Sequence, residues 1–155
     1  MSRKIVLGIG NPLGGDDAVG PYVARKLSEK LKESGRQDIT AIDTGPAPEN
    51  YTSVIRQNRP EHLILVDAAD MGLPAGTIRL LSPDQIKNVS FSTHGMPLSV
   101  FISYVQEFCG QIYIIGIQPA QTVTGDKLSA RVHKSGDRLA EMIFEDRLNQ
   151  IERLD

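Results

Sequence analysis

The chain has 155 residues, 40% of them hydrophobic and 23% charged, enough for one domain with a substantial core and too few for two ordinary ones. With 17 basic and 19 acidic residues the net charge is −2, which removes the electrostatic ground for a nucleic-acid or anionic-membrane partner. One cysteine, Cys109, excludes an intrachain disulfide; it ends an apolar stretch, Phe101 to Cys109, and reads as a small buried residue rather than a catalytic thiol.

Taken in chain order, apolar strands alternate with amphipathic helices. Lys4 to Ile9 is a continuous apolar run (Ile5, Val6, Leu7) closed by Gly8 and Gly10. It is too short for a signal segment or a membrane span, so a cytoplasmic protein is expected. Ala18 to Ser34 carries Val19, Val23, Leu27 and Leu31 every four residues, one apolar stripe of a helix. Ile39 to Asp43 reads as a second strand, and a short helix follows Pro48 over Glu49 to Gln57.

The third strand is Leu63-Ile64-Leu65-Val66, ending at Asp67. A turn-rich stretch (Gly72, Pro74, Gly76) leads to a strand at Ile78 to Leu81. Leu98 to Phe108 is expected to be a buried helix, Ile112 to Ile117 a fully apolar strand, and Ser129 to Leu154 a last helix with Leu139, Met142, Ile143, Leu148 and Ile151 inward. Strands apolar on both faces are covered on both sides. The expectation is a three-layer α/β/α domain spanning residues 1–155, with a mostly parallel twisted sheet of about five strands.

In such sheets ligands sit beyond the carboxyl ends of the strands. There this sequence places Gly10-Asn11-Pro12-Leu13-Gly14-Gly15-Asp16-Asp17, Asp43-Thr44-Gly45, Asp67 and Asp70, and the segment Ser92-Thr93-His94-Gly95. Asp16 and Asp17 open a helix, where a carboxylate caps free N–H groups. Two adjacent acids exceed what one cap needs, so Asp16 is assigned to capping and Asp17 to function. Asp43 and Asp70 read equally as turn residues or as site residues. Asp67 follows a strongly buried strand, where an unpaired charge needs a cation, a donor or a metal. His62 starts a strand at the opposite end of the sheet and His133 lies on an exposed helix; both read as structural. Asp17, Asp67 and His94 together form a plausible ligand set for a borderline transition metal with positions left open.

Several signatures are missing: His-Glu-x-x-His, Gly-x-Ser-x-Gly, and the phosphate-binding Gly-x-x-x-x-Gly-Lys-Ser/Thr. Gly8-Ile9-Gly10 begins a dinucleotide fingerprint, but Leu13 stands where its third glycine belongs, and two aspartates there repel a pyrophosphate. No organic cofactor is expected.

Gly8-Ile9-Gly10-Asn11-Pro12-Leu13-Gly14-Gly15-Asp16-Asp17-Ala18-Val19-Gly20 resembles the opening signature of the hydrogenase maturation peptidases. The resemblance continues through Asp43-Thr44-Gly45, Ala47-Pro48-Glu49-Asn50, Leu65 to Gly72, Thr93-His94-Gly95-Met96-Pro97-Leu98 and Gly116-Ile117-Gln118-Pro119. The Ala-Pro-Glu-Asn and Thr-His-x-Met-Pro-Leu forms are most similar to the branch serving formate-hydrogenlyase-type and energy-converting hydrogenases. The resemblance implies a phosphorylase/hydrolase-like fold. It also implies an aspartate- or metal-dependent endopeptidase that removes the C-terminal extension of the nickel-loaded precursor of a nickel–iron hydrogenase large subunit. The nickel is implied to arrive with the substrate and to be held by Asp17, Asp67 and His94, and Asp43 matches a further recurrent aspartate. A monomer, with no nucleic acid and no membrane insertion, is expected. Bond cleavage has two open routes: a metal-polarised carbonyl or metal-activated water, or an aspartate base, Asp43 or Asp16. The rival readings are a nickel-binding chaperone or non-proteolytic adaptor, a germination-type aspartate protease, and a peptidyl-tRNA-hydrolase-like hydrolase, whose opening also reads Gly-x-Gly-Asn-Pro.

Overall fold

The computed structural model describes residues 3–92, 95–120 and 127–155. Its strands are β1 (Lys4–Ile9), β2 (Ile39–Gly45), β3 (His62–Asp70), β4 (Ile78–Leu81), β5 (Ser90–Phe91) and β6 (Gln111–Ile117). Its helices are α1 (Val19–Ser34), α2 (Thr52–Asn58), α3 (Leu98–Val105) and α4 (Ala130–Phe144). The sheet order is β2-β1-β3-β6-β4: the first four strands run parallel, β4 is antiparallel to β6, and β5 pairs antiparallel with the end of β3.

Side chains alternate across the strands with period two. Val6, Ile64, Val66, Ile115 and Ile117 face one layer, where Val19, Val23 and Leu27 of α1 meet Val132, Leu139 and Ile143 of α4. Ile5, Leu7, Leu63, Leu65 and Ile114 face the other layer, packed on Ile55 of α2 and on Leu98, Phe101 and Val105 of α3. This is the expected three-layer α/β/α arrangement with a mixed, mostly parallel sheet.

Three boundaries differ by several residues from the sequence expectation. The third strand does not stop at Asp67: β6 pairs with it as far as Ala68, and β5 holds Ala69 and Asp70, so partners distant in sequence extend it. Asp67 therefore lies within a strand that outruns its neighbour β1, whose last pair with it is Gly8–Val66. The helix after His94 is half-exposed rather than buried: it ends at Val105, followed by a 3-10 turn over Gln106–Phe108, and Val100 and Tyr104 face solvent. Cys109 is half-buried, its thiol held up by burial and bonded to the carbonyl of Val105.

The last helix stops at Phe144, ten residues before the expected end. Asp146 adopts a left-handed backbone (φ 58°), while Arg147 N–H reaches the Met142 carbonyl at 2.8 Å and Asp146 N–H the Ile143 carbonyl at 3.1 Å. That is a helix-terminating hydrogen-bond pattern normally built on glycine. Here the aspartate is held by Lys4 at 2.8 Å and Arg36 at 3.2 Å, partners that keep its carboxyl below the usual carboxylate range, Lys4 first among them. Leu148 and Ile151 are buried as expected, but on a returning segment that hydrogen-bonds Leu80 through Glu152 and Leu154.

One contact sets the placement of α1. A Cβ built at Gly20 would lie 2.2 Å from the carbonyl oxygen of Ile9 and 2.6 Å from that of Val66; one at Gly8 would lie 2.1 Å from the carbonyl oxygen of Gly20. The first turn of α1 thus rests backbone to backbone on β1 and β3, an approach open only to glycine. Gly20→Ala gains about 1 kcal/mol of helix propensity yet must push the helix off two carbonyls. We expect a net loss of about 2 kcal/mol or more, read as a fall in Tm of roughly 4–8 °C; an unchanged Tm would show that α1 does not need this contact.

Candidate active site

The carboxyl ends of β1, β2 and β3 share one rim, and Asp43, Asp67 and the Asp16-Asp17 pair lie along it. His94 and Thr93 fall outside the described residues. Among the described residues no group of three potential ligand side chains closes around a metal position.

Asp67 is 2% exposed. Alternation with Leu63 and Leu65 turns it toward the α2/α3 layer. One carboxylate oxygen, Oδ1, accepts a short hydrogen bond from the Ser92 hydroxyl. The other, Oδ2, is buried with no hydrogen-bond partner among the described residues. Burial pushes this carboxyl well above the usual carboxylate range; the Ser92 hydroxyl and backbone donors oppose the shift, and the charge of nearby Asp17 adds to it. A buried oxygen without a donor among the described residues, beside a second carboxylate, matches the donor chemistry of a cation site.

The two adjacent aspartates divide their work. Asp16 is 1% exposed, and it does not cap the helix it opens. No side-chain cap forms at the Gly15–Ala18 turn or at α1. Instead Asp16 accepts the Ser129 N–H at 2.7 Å, the Ser129 hydroxyl at 2.9 Å and the Ala120 N–H at 2.9 Å. It therefore holds the N-cap residue of α4 and the chain beyond β6, with both oxygens occupied. Asp17 is half-buried on the rim side.

Asp43 is tied into the end of β2: its Oδ2 pairs with Arg25 at 3.0 Å and its Oδ1 accepts the Gly45 N–H at 2.9 Å. Asp70 is a turn residue, accepting from Gly72 N–H at 3.2 Å and from the Gln118 amide at 3.1 Å, which hold its carboxyl below the usual range. Two residues had no role assigned from sequence: Ser92, the partner of Asp67, and buried Gln118, whose Oε1 accepts Met71 N–H at 2.7 Å and fixes the turn after β3. Gln118 was detectable as a polar residue directly after a buried strand; Ser92 carried no such signal. His62 pairs with Lys4 and Gln111 at the far end of the sheet, and His133 is half-exposed on α4 against Tyr22.

Residues 21–146 match the family model described as HycI, hydrogenase maturation protease. The Hydrogenase 3 maturation protease of Escherichia coli K12 is 41% identical over 116 residues, 74% of this chain and 72% of that protein. The chain belongs to the hydrogenase maturation protease family.

Solved structures of the family carry the same fold. The endopeptidase HycI of Escherichia coli superposes with a TM-score of 0.82 at 30% identity, covering 99% of this chain and 97% of that one. The [NiFe] hydrogenase maturation protease HycI of Thermococcus kodakarensis gives 0.82 at 34% identity over 94% and 92%. The family model begins at residue 21, just after the Gly8 to Gly20 segment, and spans Asp43, Asp67 and His94. Among the described residues no helix is long and apolar enough to cross a membrane.

The different surroundings of these acids are measurable. Asp16→Ala strips the acceptor from three donors and is expected to destabilise the fold by about 3 kcal/mol, a fall in Tm of roughly 6–12 °C, well beyond that of Asp17→Ala. A smaller loss than for Asp17→Ala would show that the pair is assigned in reverse. For Asp67 the sign is opposite. Its folded carboxyl keeps its proton to a higher pH than the unfolded chain, which titrates near 4. Stability from this group is therefore full below about pH 4 and is lost as pH rises through the folded value. Asp67→Asn removes that loss, so the variant should match wild type near pH 4 and exceed its Tm by a growing margin as pH rises from there, until the folded carboxyl has ionised. A Tm difference independent of pH would contradict the burial of this charge.

Proposed function

We propose that the protein removes the C-terminal extension from the nickel-loaded precursor of a nickel–iron hydrogenase large subunit, binding the substrate's nickel through Asp17, Asp67 and His94. The observation that carries this reading is the Oδ2 of Asp67, buried with no hydrogen-bond partner among the described residues, and the charge of Asp17 beside it. Like charges in a dry place repel, and a divalent cation reverses that repulsion. His94 supplies a third ligand of the borderline type that suits nickel. Two carboxylates and one imidazole, without a thiolate, hold a free ion weakly. An ion already bound by the precursor's cysteine thiolates brings the missing ligands, so enzyme and substrate share one metal.

The same arrangement supports a route for bond cleavage. Asp16 has both oxygens engaged by Ser129 and Ala120, and Asp43 is held by Arg25 and Gly45; either would have to break existing bonds to act as a base. Polarisation of the scissile carbonyl by the substrate's nickel avoids that demand. Water adds to the carbonyl carbon, the C–N bond breaks, and the proton released passes to the departing amine. No organic cofactor is needed. In this reading the protein works as a monomer in the cytoplasm.

The test compares precursor with and without nickel, scored by the mass of the released C-terminal peptide. Wild type should cleave the loaded form and spare the empty one. His94→Ala, Asp17→Ala and Asp67→Asn should each lose about 100-fold or more in cleavage rate, since even groups that only support a metal ligand contribute 10–100-fold. Equal cleavage of the two precursor forms would leave an ordinary peptidase. Binding of the loaded precursor without release of any peptide would favour the adaptor reading.

A further inference from the structure

Leu13 is the most exposed large hydrophobic among the described residues, at 77%, and it sits four residues before Asp17. The loop that carries it is firmly built. Asn11 Oδ1 accepts the Leu13 N–H at 3.0 Å, the Asn11 carbonyl accepts the Gly14 N–H at 3.0 Å, and the Gly14 carbonyl accepts the Asp17 N–H at 3.1 Å. At its base Gly10 has φ +150° and no room for a side chain, a Cβ there lying 2.0 Å from the Asp17 carbonyl oxygen. Gly10 also donates its N–H to the Gly45 carbonyl at 2.9 Å. The loop is thus fixed at both ends, against β2 and against the start of α1, and its conformation turns a leucine side chain toward water beside the acids of the rim.

A scattered surface leucine needs no explanation. This one is held out by a hydrogen-bonded turn, and its neighbour Gly14 lies against Asp17, a Cβ there falling 3.1 Å from that of Asp17. The remaining large exposed hydrophobics, Val100 and Tyr104, lie on α3, where Tyr104 at 60% is more than a turn beyond the helix start. We infer that Leu13 is a substrate-positioning residue: it docks into an apolar depression of the precursor next to the scissile segment and orients that segment over Asp17 and Asp67. This inference rests on the reading of the protein as a precursor-processing protease. The contact is apolar, so it contributes binding rather than chemistry, and it acts only once the partner covers it.

Steady-state cleavage of nickel-loaded precursor tests this with Leu13→Ser, Leu13→Met and Tyr104→Ser. Burial of one leucine side chain corresponds to about tenfold or more in affinity. Leu13→Ser is expected to raise KM by about that factor with kcat and Tm unchanged, Leu13→Met to restore KM, and Tyr104→Ser to leave it at the wild-type value. An unchanged KM for Leu13→Ser overturns the inference. So does an equal rise for Tyr104→Ser, which would make the effect a general one of surface apolarity, or a fall in Tm, which would make Leu13 structural. Asp67→Asn in the same assay separates the two levels: full cleavage by that variant overturns the site reading itself, whereas loss of cleavage with an unaffected Leu13→Ser overturns only the role of Leu13.

Discussion

Where α1 meets the sheet, the backbone at Gly20 touches the carbonyls of Ile9 and Val66, and no atom larger than hydrogen fits between them. Most of the site follows from that contact. Residue 17 lies one turn before Gly20, and residue 67 directly follows Val66, so seating the helix on these two strands brings the two carboxylates to one place. Van der Waals contact between backbones is short-ranged and unforgiving. It fixes the backbone at Asp17 relative to the backbone at Asp67, whatever the rotamers of the surrounding side chains.

Asp16 secures the same arrangement from the other direction. Its carboxylate gathers the start of α4 and the chain after β6 onto the loop that follows β1. A buried charge is tolerable here because three donors face it. Asp67 is the opposite case: burial opposes its charge, nearby Asp17 adds to that penalty, and its Oδ2 has no hydrogen-bond partner among the described residues. Acids on one rim therefore differ in surroundings: Asp16 is met by three donors, whereas burial disfavours the charge of Asp67. Sites of this kind trade stability for function.

The strength of the sequence signal varied with the range of the interactions involved. Apolar runs such as Leu63 to Val66 and the four-residue stripe of α1 reveal themselves locally, because period and burial are properties of the chain segment itself. The layer order, the cluster of acids after the strands, and the membership of the family were all legible from such segments and their motifs. Boundaries were less so. β3 continues through Asp70 because β5 and β6, far along the chain, supply its hydrogen bonds. α4 ends at Phe144 because Lys4 and Arg36 support an aspartate in a left-handed turn where glycine is usual.

By itself the sequence determined which acids could matter: a pair opening a helix, one after a buried strand, one after β2, together with a histidine placed before α3. It assigned Asp16 to the fold and Asp17 to function, but it could not say what Asp16 would hold. A local cap would be readable from neighbouring residues, but the donors that hold Asp16 come from Ala120 and Ser129, more than a hundred residues away. Nor could it show that Ser92 meets Asp67 or that the second oxygen of Asp67 has no partner among the described residues. Those facts depend on which backbone and side-chain donors converge after the chain has closed, and only the tertiary structure decided them.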